Sequence, residues 1–544
     1  MLTLTQNQEL NLELHQDLNQ GPLLAQPADL VLNWQDGRLQ LSQGGQMPET
    51  WCQELASAVR GFLDVLATAT ARASFYNSQS EQTAATRAVH SRLLGLDRAL
   101  YALLLGFDGS TDFNRQLGIE LLLQGPAGGQ LSPVEEDRLL DWLLAQLPPQ
   151  RVLKLFVQLR QARLGGARAR RLMLRWLLQP EKLELWTVRY RRKLRLVLEH
   201  ALGKRNSSVL RSILSKDARS AKENRLLLAA IGRRLPEAQR GRVYECIGFI
   251  LGLEQQLSLP KLTAYRQAKS DLAAGRRLPL ETLEGLRSVY HKAVPSARVL
   301  ELCRETLTDG QKIGLQRRAA AAGVAVGFDP LRYSPLKLYL YAFEQGLGAE
   351  VAAALHQKAA EVRLPLALGH LGLLLDASAS MWGDASQRLR PMASALALRD
   401  LLCAAAQQST VICAGGQMLD GLIFPEGATA LAEGLLQLVQ AGAEQIVILS
   451  DGYENSPAGR VAEVMRGLRQ IGIQTPVLQI SPVLAAESQG VRALAPGLIE
   501  CLPVAEPAAL GLGLIRLLLA QDPVRALNGL LSLLPQSQFE ALTS

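Results

Sequence analysis

Asp376, Ser378 and Ser380 form a DxSxS pattern in LGLLLDASASMWGD, directly after an apolar run that ends at the acid. Alternate residues of extended chain point one way, so a carboxylate and two hydroxyls converge at the carboxyl end of a strand, where open α/β sheets bind ligands. The run IVILSDG brings Asp451 to a second strand end, and PEGATALAEGLL offers Thr429 in the loop ahead of a helix. Five oxygens from three loops make a hard site that suits Mg2+ or another divalent cation. Taken alone, the triplet has a plainer reading, because Ser often caps the helix that follows. Thr429 and Asp451, in the right order at matching positions, favour the metal.

A second concentration of chemistry is basic. The whole chain carries +8, yet Arg151 to Arg225 alone hold 21 Lys plus Arg against 5 Asp plus Glu, a local net charge of +16. A field confined to one segment draws polyanions, and nucleic acid is the commonest of them. Spacings of three and four place Arg168, Arg171 and Arg175 on one helical face, with Arg189, Arg192 and Lys193 doing likewise; Arg170, Lys204 and Arg205 add to the cluster. Trp176, Trp186 and Tyr190 are interleaved among them. An exposed aromatic stacks on an unpaired base, although on such helices these residues more often face the core. No GxxxxGK[ST], HExxH or GxSxG pattern occurs, and the six histidines are scattered, which points to a binding protein rather than an enzyme. His291 and His370 are the two whose neighbours matter most.

The elements that must position these groups follow from pattern. With 544 residues, 48% hydrophobic and 20% charged, the chain is long enough for two to four domains at roughly 100 to 200 residues each. No window approaches a membrane span, no secretory signal opens the chain, and six cysteines without a CxxC pair fit a reducing compartment, so the expected location is cytoplasmic with no membrane partner. Residues 1–50 read as an auxiliary segment, with a short hairpin around Asp36 and Gly37. Residues 51–363 read as helix after helix, as in SPVEEDRLLDWLLAQL and PQRVLKLFVQLRQARL, which suggests an α-solenoid or ring of helix pairs without a fixed sequence period. From 364 to 525 short apolar runs (LALGHLGLLLD, TVICAGG, EQIVILSD, TPVLQIS) alternate with amphipathic stretches, the signature of a doubly wound α/β domain, and 526–544 form a tail. Cys403 and Cys413 read as small buried hydrophobes within it.

The DASASM, GAT and LSDG segments resemble a von Willebrand factor A domain with an intact metal-ion-dependent adhesion site. That resemblance implies direct metal contacts from Ser378 and Ser380, direct or water-mediated contacts from Asp376, Thr429 and Asp451, and a partner's carboxylate completing the shell. A helical segment followed by such a domain is similar to the Ro ribonucleoprotein family, whose TROVE helices bind small noncoding or misfolded RNA. RALYALLLGFDGS (Arg98 to Ser110), the spacing Gly166, Arg170, Arg171, Trp176, and Lys204-Arg205-Asn206 before VLRSILS carry this second likeness; the family's histidine at the last has no counterpart. The implied partners are RNA, a protein offering a carboxylate, and an exonuclease or AAA+ ATPase. An alternative reading is an A-domain adaptor of a MoxR-type AAA+ ATPase acting in protein remodelling or cofactor insertion. The basic segment separates the two, because such an adaptor has no need of +16 in so short a stretch.

Overall fold

The computed structural model describes residues 30–35, 38–43, 49–69, 78–107, 109–126, 131–216, 219–231, 235–253, 256–361, 368–383, 388–482, 492–504, 506–521, 526, 530 and 534–543. Residues 1–29 of the expected auxiliary segment 1–50, the junction at 362–367 and part of the tail 526–544 lie outside them. Among the described residues, helix predominates, and no helix is long and apolar enough to cross a membrane. The chain forms two compact units, one built from residues 1–115, 129–131 and 329–544, the other from residues 116–128 and 132–328.

The first unit holds two strands, β1 (Leu30–Gln35) and β2 (Arg38–Gln43), paired antiparallel with Gln35 opposite Arg38, as the Asp36-Gly37 turn predicts. Its main sheet has five parallel strands in the order β4 (Ala406–Ala414), β3 (Leu368–Asp376), β7 (Gln445–Leu449), β8 (Val477–Ser481), β9 (Glu500–Pro503). A short antiparallel pair, β5 (Gln417–Leu419) and β6 (Leu422–Phe424), follows β4. β3 is an interior strand, buried from Leu371 to Asp376, which is why its sequence there is almost wholly apolar up to the terminal acid. On one face Leu374, Ile446 and Ile448 pack with Leu431, Leu435 and Leu438 of the helix Leu431–Gln440 and with Val461 and Met465 of the helix Arg460–Gln470. β4 departs from the expected buried strand: it is the sheet edge, with Val411 and Cys413 exposed and Cys403 on the preceding helix only half-buried. An apolar run marks strand propensity; strand order decides whether both faces are covered.

The unit boundary also falls elsewhere than at residue 363. The helices Glu49–Thr68, Gln79–Leu96 and Arg98–Leu104 belong with the sheet. Asp64 pairs with Arg516 of the helix Leu510–Gln521, and Arg60 lies 3.9 Å from Glu500 at the start of β9. Gln538 of the helix Gln536–Thr543 is buried and donates to the Leu103 carbonyl at 3.0 Å. Tyr339 of the helix Pro335–Gln345 donates to Asp400 beneath the sheet, and Arg399 donates to the Tyr339 oxygen at 3.1 Å.

The second unit is helical throughout its described residues. Ser132 and Glu135 cap the helix Pro133–Gln146 reciprocally, and proline opens the helices Pro149–Gln161, Pro180–Leu214 and Pro260–Gln267, where its missing N–H costs nothing. The long helix Pro180–Leu214 is broken twice, at Tyr190 (φ −123°, ψ 19°) and at Gly203 (φ 73°, ψ 170°), the second in a region that only glycine enters readily. Buried Glu184 ties it to neighbours, accepting from Arg242 at 2.9 Å and from the Lys261 N–H at 2.6 Å.

Candidate functional site

The carboxyl ends of β3 and β7 bring the oxygen constellation together. Asp376, the last residue of β3, accepts the Ser378 N–H at 3.0 Å on Oδ1 and the Ser450 hydroxyl at 2.6 Å on Oδ2. The Ser378 and Ser380 hydroxyls stand 3.2 Å apart, and Ser380 in turn donates to Asp451, whose Oδ1 accepts the Tyr453 N–H at 3.0 Å. Asp376, Ser378, Ser380 and Asp451 are thus one hydrogen-bonded chain. The loop that carries Thr429 is tied to them where the Ala379 N–H donates to the Gly427 carbonyl at 3.1 Å, and the Thr429 N–H donates to the Asn455 side chain at 2.9 Å. Thr429 is 0% exposed, and its hydroxyl has no hydrogen-bond partner among the described residues.

Electrostatics point the same way. Burial pushes the Asp376 carboxyl above its usual range, the hydrogen bonds from Ser450 and Ser378 pull it back, and the charge of Asp451 adds to the rise. Burial likewise raises Asp451, opposed by the Tyr453 N–H, Ser380 and the Arg492 guanidinium. Two desolvated carboxylates with hydroxyls around them and an orphaned hydroxyl at the third loop fit a small, oxygen-seeking divalent cation. Among the described residues no three His, Cys, Asp or Glu converge, so the ligand set would be two acids and hydroxyls rather than a cage of acids or imidazoles. Ser450, which orients Asp376, and Asn455, which holds Thr429, escape a reading of the motif because they act through other residues. Their trace in sequence is only proximity to Asp451.

The basic residues divide into two groups. Arg170, Arg171, Arg192, Lys193, Lys204 and Arg205 are exposed. Arg168, Arg175 and Arg189 are half-buried and paired with carboxylates: Arg168 with Glu136 at 2.8 Å and Asp137 at 2.6 Å, Arg175 with Asp141 at 3.0 Å, and Arg189 with Glu281 at 2.9 Å. Trp176 and Trp186 are buried and stacked on each other, their centroids 4.2 Å apart, so neither ring offers a face to a base. Helical spacing put Arg168 and Arg175 on one face; it could not show that the helix Pro133–Gln146 presents Glu136, Asp137 and Asp141 to that face. Arg168→Ala is therefore expected to destabilise this unit by about 2 kcal/mol, because it removes the ion pair made by Glu136, which is 1% exposed. Urea unfolding of the variant checks it; Arg170→Ala, at an exposed position, is expected to cost under about 0.5 kcal/mol.

A half-buried residue not included in the candidate site, His200, stands beside exposed Arg170. A Cβ built on Gly165 would lie 3.2 Å from His200 Cε1 and 3.5 Å from Arg170 Nη2, and one on Gly203 would lie 3.5 Å from Arg170 Nη1, so glycines let Arg170 and His200 crowd one spot. Burial, then Arg170 and Arg160, hold the His200 imidazole below its ordinary range, and its Nε2 has no hydrogen-bond partner among the described residues. His291 and His370 are accounted for locally: His291 Nε2 is 2.8 Å from the Ala268 carbonyl, and His370 meets Thr410 at 2.9 Å and the Gly442 carbonyl at 3.2 Å.

No protein-family model and no curated protein matches this chain. Among solved structures, the chain is similar to the crystal structure of the Deinococcus radiodurans Ro (RSR) protein at 15% sequence identity, over 84% of this chain and 99% of that one, with a TM-score of 0.34.

Proposed function

We propose that this chain is an RNA-binding protein of the cytoplasm that also captures a protein partner through a divalent cation, Mg2+ being the natural choice. The observation that carries the reading is the convergence of Asp376, Ser378, Ser380 and Asp451 in one hydrogen-bonded chain, with the buried, unpartnered hydroxyl of Thr429 on the loop tied to it. The cation would be held by these residues as in a von Willebrand factor A domain. Once bound, it would supply an open coordination position that an Asp or Glu side chain of a partner can fill, its own charge being balanced by Asp376 and Asp451. The protein's own part is to hold Asp376 through Ser450 and Ser378 and to keep water from most of the site.

RNA, small noncoding or misfolded, is assigned to the second unit. The support is the local net charge of +16 between Arg151 and Arg225 and the exposure of Arg170, Arg171, Arg192, Lys193, Lys204 and Arg205. With both tryptophans buried, the contacts are expected to be to phosphates, not bases. Affinity should then fall with salt at a log–log slope of about 0.7 per contacted phosphate of a single strand. The test is filter binding of structured RNA by the wild type and by the variant in which Arg170, Arg171, Arg192 and Lys193 are all replaced by Glu. Loss of at least about 100-fold in affinity with an unchanged unfolding curve is expected; undiminished binding sinks the assignment.

A further inference from the structure

We propose that Arg388 and Arg492 make the metal face a reader of acidic segments, each guanidinium taking a carboxylate of the partner beside the one that reaches the cation. The inference rests on the metal reading above and adds to it the chemical class of the partner.

Two arginine–aromatic pairs flank the constellation. Arg388 Cζ lies 4.8 Å from the centroid of Trp382, and Arg492 Cζ lies 3.8 Å from that of Tyr453. Each aromatic stands two residues beyond a proposed ligand, Trp382 after Ser380 and Tyr453 after Asp451, so the pairs sit on the loops that leave the site. Both are pinned. On one side the Gly383 N–H donates to the Ser380 carbonyl at 3.2 Å and the Leu389 N–H to the Trp382 carbonyl at 2.6 Å, which brings Arg388 back over the ring. On the other, fully buried Gln479 donates to the Arg492 carbonyl at 3.0 Å and accepts the Leu494 N–H at 2.8 Å. Gly452 (φ +84°) leaves room for that backbone, since a Cβ there would lie 2.0 Å from the Arg492 oxygen.

Both arginines are exposed, and among the described residues neither forms an ion pair with a carboxylate. This contrasts with Arg168, Arg175 and Arg189 in the other unit, which are paired. A guanidinium laid on a ring has already lost much of its rotamer freedom, so its planar fork engages a carboxylate bidentately at little further entropic cost. A single Asp or Glu satisfies the cation alone; a second and third acid are needed to use the arginines. Nucleic acid is the less suitable occupant, because each ring has one face covered by its own arginine, which leaves less of it for a base to stack on.

The full chain is tested with two fluorescein-labelled peptides of equal length, one carrying four Asp spaced by Gly, the other a single Asp among Asn and Gly. Anisotropy is read in Mg2+ and in chelator, and Mn2+ binding is followed separately by electron paramagnetic resonance. The wild type should bind the four-Asp peptide at least about tenfold more tightly than the single-Asp peptide, in Mg2+ only. Arg388→Gln and Arg492→Gln should each erode that ratio by threefold or more; Mn2+ binding should stay within twofold in Arg388→Gln and be no weaker than wild type in Arg492→Gln, where a positive charge acting on Asp451 is removed, which also shows that the loops are intact. Mn2+ binding without any preference between peptides overturns the arginine assignment and leaves the metal reading standing. Absence of Mn2+ binding overturns both. An oligouridylate of equal charge that binds more tightly than the peptide, and loses that advantage in both variants, overturns the assignment in favour of nucleic acid.

Discussion

Mg2+ at 100 times its dissociation constant is expected to stabilise the first unit by about 2.7 kcal/mol, and the Asp376→Ala variant is expected to show no such gain. For a unit of over 300 residues this corresponds to a rise in Tm of about 4 °C, readable by calorimetry with and without chelator. The effect is large because burial desolvates both Asp376 and Asp451 and holds their carboxyls above the usual range, the charge of Asp451 adding to the rise at Asp376. A carboxyl raised in the folded state contributes stability that is full below its unfolded pKa and is lost as pH rises through the folded value. In chelator these two acids therefore weaken the fold toward neutral pH, and the gain from Mg2+ should grow over the same window as protons leave the site. Asp376→Ala also strands the Ser378 N–H and the Ser450 hydroxyl, both buried, so its baseline stability falls for reasons unrelated to metal. Asp376→Asn keeps an acceptor and the shape of the side chain while removing the charge, and it too should lose the Mg2+ response. A response of wild-type size in both variants, or none in the wild type, would mean that the five residues mark a strand-end geometry and not a cation site.

What could be read from the sequence was local chemistry. LGLLLD and IVILSD form buried parallel strands, and the acids at their ends do meet, because strand period and apolar content are properties of single segments. Ser132 and Glu135 cap a helix as their spacing predicts, and Asp36-Gly37 joins two paired strands. What could not be read was which segments face each other. TVICA is as apolar as its neighbours, yet β4 is the sheet edge and leaves Val411 and Cys413 exposed. The helices before residue 115 read like those after it, but Asp64, Leu103 and their partners Arg516 and Gln538 group them with the sheet. Arg168 and Arg170 are neighbours in a basic run; one is spent on Glu136 and Asp137 and the other is exposed beside His200, a difference set by a helix more than 20 residues upstream.

Acidification from pH 6.5 to 4 is expected to remove about 3 kcal/mol from the stability of the first unit through His90 alone. The ring is 0% exposed, packed edge-on against Phe62 at 4.9 Å, and burial holds its pKa down to about 4; the hydrogen bond that it donates to Asn114 opposes that shift and nearby Arg87 reinforces it. Asn114 fixes the tautomer. Its Nδ2 donates to the Val65 carbonyl at 2.6 Å and the Leu66 carbonyl at 2.9 Å, so its Oδ1, 2.9 Å from His90 Nε2, must accept, which leaves His90 Nδ1 to accept from the Tyr101 hydroxyl at 2.9 Å. A second proton on the ring would force the Tyr101 hydroxyl to turn and accept, and would leave a net charge in an apolar shell. Because the folded pKa lies below the unfolded one, the unfolded chain takes up the extra proton first; stability is complete above about pH 6.5 and is lost as pH falls through 4. The network joins the helix Gln79–Leu96 to Tyr101 and to the end of the helix Glu49–Thr68, so these helices should loosen together, with Arg98–Leu104 losing its hold on the C-terminal helix through Leu103 and Gln538. Ring-resonance NMR of histidine-labelled protein reads the titration directly, apart from the many carboxyls that respond in the same range. A His90 resonance that titrates near 6.5 while the protein remains folded would show that the ring is solvated and that the wrap of these helices does not depend on its neutrality.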